Sequence, residues 1–260
     1  MAGDRSARDQ PAPRERPGAG TAPARRPPLV LLDLDGTLLD HVTSVRRALE
    51  RWSAELAPPR VPEDLLGAWL AAEQRHFPAW RDGSASFAEQ RRRRLRDVLP
   101  LLGLPVGGDA DLDAVFAGYL TAYEAAWTAF DDVDDALAGL AAAGMPTAVL
   151  TNGVVPQQRA KLAALGLLDR VGPALTAEEL GVAKPDPRVF ARACAQLGRP
   201  PAEVVSVGDD HALDVVAARA AGLRAVHLDR EGAGPEDEAH RTTTLRGLAD
   251  LVLALPASGA

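Results

Sequence analysis

The stretch Leu29-Val30-Leu31-Leu32-Asp33-Leu34-Asp35-Gly36-Thr37-Leu38-Leu39-Asp40 constrains this chain most. Pro27 and Pro28 precede it, and its apolar part is too short for a helix. Such a run reads as a strand buried on both faces, the kind found in parallel sheets. Gly36 ends the strand and permits a tight turn. The period of two puts Asp33 and Asp35 on one side, with Leu34 opposite. Open α/β sheets bind their ligands beyond the carboxyl ends of the strands. Two carboxylates that close together require a cation or a shared proton.

Residues 1–28 are rich in Pro, Arg, Ala and Gly without periodicity, which predicts a disordered, solvated tail. Residues 42–128 hold all four tryptophans and both tyrosines. Helical spacing recurs there through Val45, Leu49 and Trp52, then Leu65, Trp69 and Leu70, then Leu112, Phe116, Tyr119, Tyr123 and Trp127. An inserted helical domain follows, with the aromatics as its core. The run Arg91-Arg92-Arg93-Arg94 with Arg96 lies in a predicted helix starting near Ser86. Consecutive helical positions point around the whole circumference, so the run reads first as a solvated face, with one arginine reaching an anionic substrate as the second reading. From Asp131 onward strands and helices alternate, with strands predicted at 146–150, 173–175, 204–207 and 224–228. Helices are predicted at 157–165, 211–221 and 245–255. That alternation argues a parallel sheet covered on both faces. The expected division is therefore a core of residues 29–41 and 129–260, interrupted by the insert.

The formal net charge of −7 argues against a nucleic-acid binder. Cys194 is the single cysteine, so an internal disulfide and a cysteine zinc site are excluded. No run is long and apolar enough for a membrane span, and none near the start resembles a signal peptide. A cytoplasmic protein, monomer or homodimer, is expected. Arginine dominates the basic residues. The only lysines are Lys161 and Lys184, and the only asparagine is Asn152. Asn152 and Lys184 both sit in candidate motifs, against the drift of the composition.

Four clusters carry the chemistry. They are Asp33 with Asp35; Thr151-Asn152-Gly153; Lys184 in Gly181-Val182-Ala183-Lys184-Pro185-Asp186-Pro187; and Gly208-Asp209-Asp210 with Asp214. The first, second and fourth directly follow predicted strands, whose ends share one edge of a parallel sheet. In order and position they resemble the four motifs of the haloacid dehalogenase-like hydrolase superfamily, over about residues 29–255. The resemblance implies an α/β, Rossmann-like core with a helical cap between the first and second motifs. Where that pattern often has Asn before its last acid, this chain has Leu213.

The residue types suit phosphoryl transfer. Asp33 can attack phosphorus and hold it as an aspartyl phosphate. Asp35 can protonate the leaving oxygen and then deprotonate water. A phosphate dianion repels a carboxylate, so cations are needed, and Mg²⁺ suits such an oxygen-rich site. By the resemblance, the metal ligands are the Asp33 carboxylate, the Asp35 main-chain carbonyl and Asp209. Asp210 and Asp214 would act behind them or through water. Lys184 supplies a point charge. Thr151 offers a hydroxyl, and the amides near Asn152 and Gly153, with Gly36 beside them, offer an anion site. His211 beside the acids and His41 beside the hinge of the insert read first as surface residues, with substrate contact as the second reading of each.

The expected activity is hydrolysis of a small phosphorylated metabolite. A sugar phosphomutase or another phosphotransferase would share all four motifs. A haloacid dehalogenase would need no proton donor at Asp35. A phosphorylatable receiver would carry its acceptor acid on a later strand.

Overall fold

The computed structural model describes residues 26–256. The predicted tail therefore lies, up to residue 25, outside the described residues. The core sheet has six parallel strands: β1 (Leu29–Leu32), β2 (Thr147–Thr151), β3 (Ala174–Thr176), β4 (Val204–Gly208), β5 (Arg224–Leu228) and β6 (Arg241–Thr242). Their order is β3-β2-β1-β4-β5-β6. The two-residue β6 is not foreseen from sequence. It carries no apolar run, and its pairing with His227 and Leu228 alone defines it.

Strand β1 shows why the sheet is central. Val30 and Leu32 enter the apolar cluster on one face, with Val149, Val207 and Leu140. Leu29 and Leu31 enter the cluster on the other, with Phe190, Val189 and Ala218. All four are buried, so both faces of the sheet are dry, as the continuous apolar run requires. The first cluster is closed by helices at Val133–Ala142 and Leu248–Ala254. The second is closed by a helix at Arg188–Gln196 and a short one at Ala217–Ala220.

Two predicted helices differ from the observed ones. The segment after β4 is not one α-helix over 211–221. It begins as a π-helical turn at His211–Val216 and becomes α-helical only at Ala217–Ala220. The final helix starts at Leu248 rather than Leu245, because Gly247 sits in the left-handed region with φ 71°.

Between β1 and β2 the chain forms four long helices: α1 (His41–Leu56), α2 (Leu65–Arg81), α3 (Phe87–Val98) and α4 (Asp109–Ala126). They enclose their own core, in which Trp52, Trp69 and Tyr119 meet with ring centroids 4.0–5.8 Å apart. Ser86 caps α3, its hydroxyl accepting from the Glu89 amide at 3.1 Å. The two crossings into the insert run side by side. The Asp40 amide donates to the Thr128 carbonyl at 2.9 Å, and the Phe130 amide donates to the Leu38 carbonyl at 3.1 Å. Among the described residues, no helix is long and apolar enough to cross a membrane.

Candidate active site

Parallel strands point their carboxyl ends the same way, so the turns after β1, β2 and β4 meet at one edge. There they floor a cavity of about 650 Å³, roofed by α2, α3 and α4. Asp33 continues from β1, its amide donating to the Val207 carbonyl at 2.9 Å. Lys184 is buried against it, with Nζ 2.5 Å from Asp33 Oδ1, 2.6 Å from Asp214 Oδ1 and 3.1 Å from the Leu150 carbonyl. Burial acts to lower the Lys184 pKa, but Asp214 and Asp33 outweigh it and the ammonium is raised. Burial, partly offset by Lys184, holds Asp33 well above the usual carboxylate range, with help from Asp214 and Asp209. Desolvation by the cavity walls and the charge of Asp214 push Asp209 up to about 7.

One carboxylate oxygen each of Asp33, Asp209 and Asp214 lies within 4.8 Å of the others. Two glycines make this crowding sterically feasible. Gly36 has φ 88°, and a Cβ there would lie 2.3 Å from Asp209 Oδ2. A Cβ on Gly208 would lie 2.3 Å from the Asp214 carboxyl carbon. Three carboxylate oxygens gathered this closely, facing one lysine, fit a hard divalent cation. Asp210 is turned to another task. Its Oδ1 accepts from the Ala212 and Leu213 amides at 2.9 and 3.0 Å, capping the π-helical turn.

Asp35 stands apart from that group. Its Oδ1 accepts from Lys161 Nζ at 2.6 Å, and its Oδ2 from Gln158 Nε2 at 3.1 Å. Burial would raise its pKa, but Lys161 and then His41 outweigh burial and lower it. Lys161 and Gln158 come from the helix after β2, Val155–Ala164. The sequence reading misses both as site residues. The signal was present in Lys161, the second lysine of a chain that otherwise uses arginine.

The second motif is partly structural. Thr151 Oγ1 accepts from Gln158 Nε2 at 2.6 Å. The Asn152 side chain does not face an open site. Its amide donates to the Lys184 carbonyl at 2.9 Å, and its oxygen accepts from the Lys184 amide at 2.8 Å. Asn152 thus fixes the loop that carries Lys184. Gly153 lies on the cavity wall, with its amide toward Thr151 Oγ1 at 3.4 Å.

The wall above this floor corrects two expectations. His41 is not a surface residue. It lines the cavity, bonded to Tyr123 Oη at 2.8 Å and to Glu73 at 3.3 Å. The arginine run is not a uniformly solvated face. Arg94 is buried and paired with Glu73 at 3.2 Å, and Arg91 also lines the cavity. Positions 91 and 94 share a helix face, so three-residue spacing turns both inward. Burial works against ionised Glu73, but Arg94 and His41 prevail and bring it down to about 2. His211 lies away from this wall, bonded to Glu238 at 3.0 Å.

Comparison with known proteins agrees with this geometry. Residues 27–222 match the haloacid dehalogenase-like hydrolase family. The chain is 32% identical to ribulose-1,5-bisphosphate 5-phosphatase of Halopiger xanaduensis over 84% of its own length and 91% of that protein's. It is 47% identical to phosphoserine phosphatase of Thermus thermophilus over 94 residues, 36% of this chain and 37% of that one. Among solved structures it resembles L-2-haloacid dehalogenase of Xanthobacter autotrophicus, at 26% identity and a TM-score of 0.70, covering 88% of this chain and all of the other. A parallel sheet with its acids gathered at one edge and a family match over most of its length make this chain an enzyme of the haloacid dehalogenase-like hydrolase family.

Proposed function

We propose that the protein is a Mg²⁺-dependent phosphatase that hydrolyses a small phosphomonoester through an aspartyl phosphate on Asp33. The observation that carries this reading is Asp35, a second acid on the cavity floor, held by Lys161 and Gln158. A halide leaves without a proton, so a dehalogenase would have no task for it. Relatives named for phosphatase activity support the same choice.

Asp33 Oδ attacks phosphorus while the bond to the leaving oxygen breaks. Asp35 gives that oxygen its proton. In the resting site Asp35 is ionised beside Lys161, and a phosphate dianion entering next to it raises its pKa, as any like charge does. It thereby becomes able to carry the proton. Water then attacks the phosphorus of the aspartyl phosphate, Asp35 takes the proton, and inorganic phosphate leaves Asp33 free. Lys184 neutralises Asp33 and orients it throughout. The Asp33 and Asp209 carboxylates and the Asp35 main-chain carbonyl would hold Mg²⁺, with Asp214 alongside. The ion would supply charge neutralisation for the phosphate oxygens. Thr151 and the Asn152 and Gly153 amides would receive the phosphate.

The test is hydrolysis of an aryl phosphate with Mg²⁺, with excess chelator, and by Asp33→Asn. Turnover that needs both the ion and Asp33 supports the reading. Chelator-resistant turnover, or near-normal activity of Asp33→Asn, overturns it.

A further inference from the structure

The arginine run of α3 divides by its partners. Arg92 is held by Asp109 and Asp113 at 2.9 and 2.6 Å. Arg93 is held by Glu89 at 3.2 Å, Arg94 by Glu73 at 3.2 Å, and Arg96 by Glu89 and Asp109 at 2.9 and 2.7 Å. Arg91 alone in the run makes no hydrogen bond or ion pair among the described residues, and its Nε is a buried donor without an acceptor. Its guanidinium instead lies 4.2 Å from the ring centroid of Phe87 and 5.0 Å from that of Phe116. Two rings flank the guanidinium, and none of its N–H donors has an acceptor among the described residues. Arg91 lines the same cavity as Asp33.

An unpaired, half-buried guanidinium is costly unless something occupies it. Among the described residues no acid does so at ion-pair distance. Asp113 is taken by Arg92, and Glu73 is shared between Arg94 and His41. Arg81 lines the same end of the cavity and also lacks an ion-pair partner among the described residues. With Arg81, Arg91 and Arg94 against the single acid Glu73, the helices of the roof bring surplus positive charge to the cavity. A planar guanidinium fork matches a carboxylate or a phosphate.

We propose that Arg91 binds a second anionic group, on the leaving-group side of the substrate. The preferred substrate class is thus a phosphomonoester whose alcohol portion also bears a carboxylate or a second phosphate. This rests on the phosphatase reading of the floor and assigns its roof a specificity. The phosphoryl group faces Asp33, and the far anion is clamped between the aromatic-backed Arg91 and the positive end of the wall.

The experiment measures binding, so that it does not depend on turnover. Affinities of the full-length protein with Mg²⁺ are compared for three series of non-hydrolysable phosphonates of two to six carbons. One ends in a carboxylate, one in a second phosphonate, and one in a neutral hydroxymethyl group. The expected result is that one or both anionic series bind about ten- to a hundredfold more tightly at the best length, a charge-assisted bidentate contact. In Arg91→Met, which keeps the apolar stem between the rings, that ratio collapses toward one. Arg91→Lys restores part of it, and Arg93→Met on the outer face leaves it unchanged. Comparing the two anionic series identifies the terminus. Equal affinities for neutral and anionic series, or a preference that survives Arg91→Met, overturn the proposal. If Arg91→Met does not fold, Arg91→Lys and Arg91→Gln are read by the same ratio. Aryl phosphate turnover, run in parallel, reports separately on the phosphatase reading.

Discussion

Lys161 Nζ lies 2.6 Å from Asp35 Oδ1, and this single contact sets the ionisation of the proposed acid–base residue. Burial favours the neutral carboxyl and Lys161 favours the charged one, and the lysine wins. Lys161→Met removes the winner. The limb of the pH–rate profile that reports Asp35 is expected to move to higher pH. A full profile of both proteins checks this, and an unmoved limb would mean that Lys161 does not control the group.

Lys184 is the counter-charge of two buried carboxylates. Lys184→Met leaves Asp33 and Asp214 uncompensated in the interior. Turnover should fall by about a hundred- to a thousandfold. Removing one partner of a buried ion pair also costs about 3–5 kcal/mol of stability. Thermal melts with chelator present measure that loss, and added Mg²⁺ should recover part of it if the acids bind the ion. A melt unchanged by the substitution contradicts the burial argument.

Gly36 has no tolerable replacement. Its φ of 88° disfavours any side chain, and a Cβ would overlap Asp209. Gly36→Ala should cost about 1–3 kcal/mol from the backbone alone and displace Asp209, so metal affinity falls together with Tm. Calorimetric Mg²⁺ titration separates the two. Normal metal affinity would show that Asp209 is not a ligand.

Asp132 governs acid stability from outside the cavity lining. Burial opposes its charge, but the Arg230 fork at 2.9 and 3.0 Å, the Leu245 amide and the Thr244 hydroxyl bring it down to about 2. A depressed carboxyl stabilises the fold above its unfolded pKa near 4 and loses that contribution as pH falls toward 2. The contribution is about 2 kcal/mol. Urea melts between pH 5 and pH 2.5 should show it in the wild type, and Asp132→Asn should flatten that part of the curve.

The sheet was legible because its strands are short apolar runs with a Gly or Asp at or within two residues of their end, and β1, β2, β4 and β5 follow from that pattern. The acids of the first and fourth motifs were legible for a related reason. They sit immediately beyond such runs, where chain order alone fixes the edge they share. What stayed hidden depends on helix rotation about the finished sheet. Nothing in the spacing of Val155–Ala164 says that Lys161 and Gln158 meet Asp35 across more than a hundred residues of chain. The inward turn of Arg91 and Arg94 is hidden likewise. In sequence they are two members of a charge cluster, and only the neighbouring helices decide which side of α3 is interior. Asn152 is legible as special by its rarity, but the task of its side chain is not: only the finished fold brings it onto the Lys184 main chain.

The paired crossings at Asp40–Thr128 and Leu38–Phe130 have an evolutionary meaning. Because the chain leaves and rejoins the sheet at adjacent points, everything between them is bracketed by one small clasp. A different roof can be spliced into the same clasp without disturbing any strand. On the proposed reading the reacting groups Asp33, Asp35, Lys184 and Asp209 lie outside the bracket, and Arg91, which would choose the reactant, lies within it. The two are heritable on separate pieces of one gene, so a lineage can change what it consumes while keeping how it reacts.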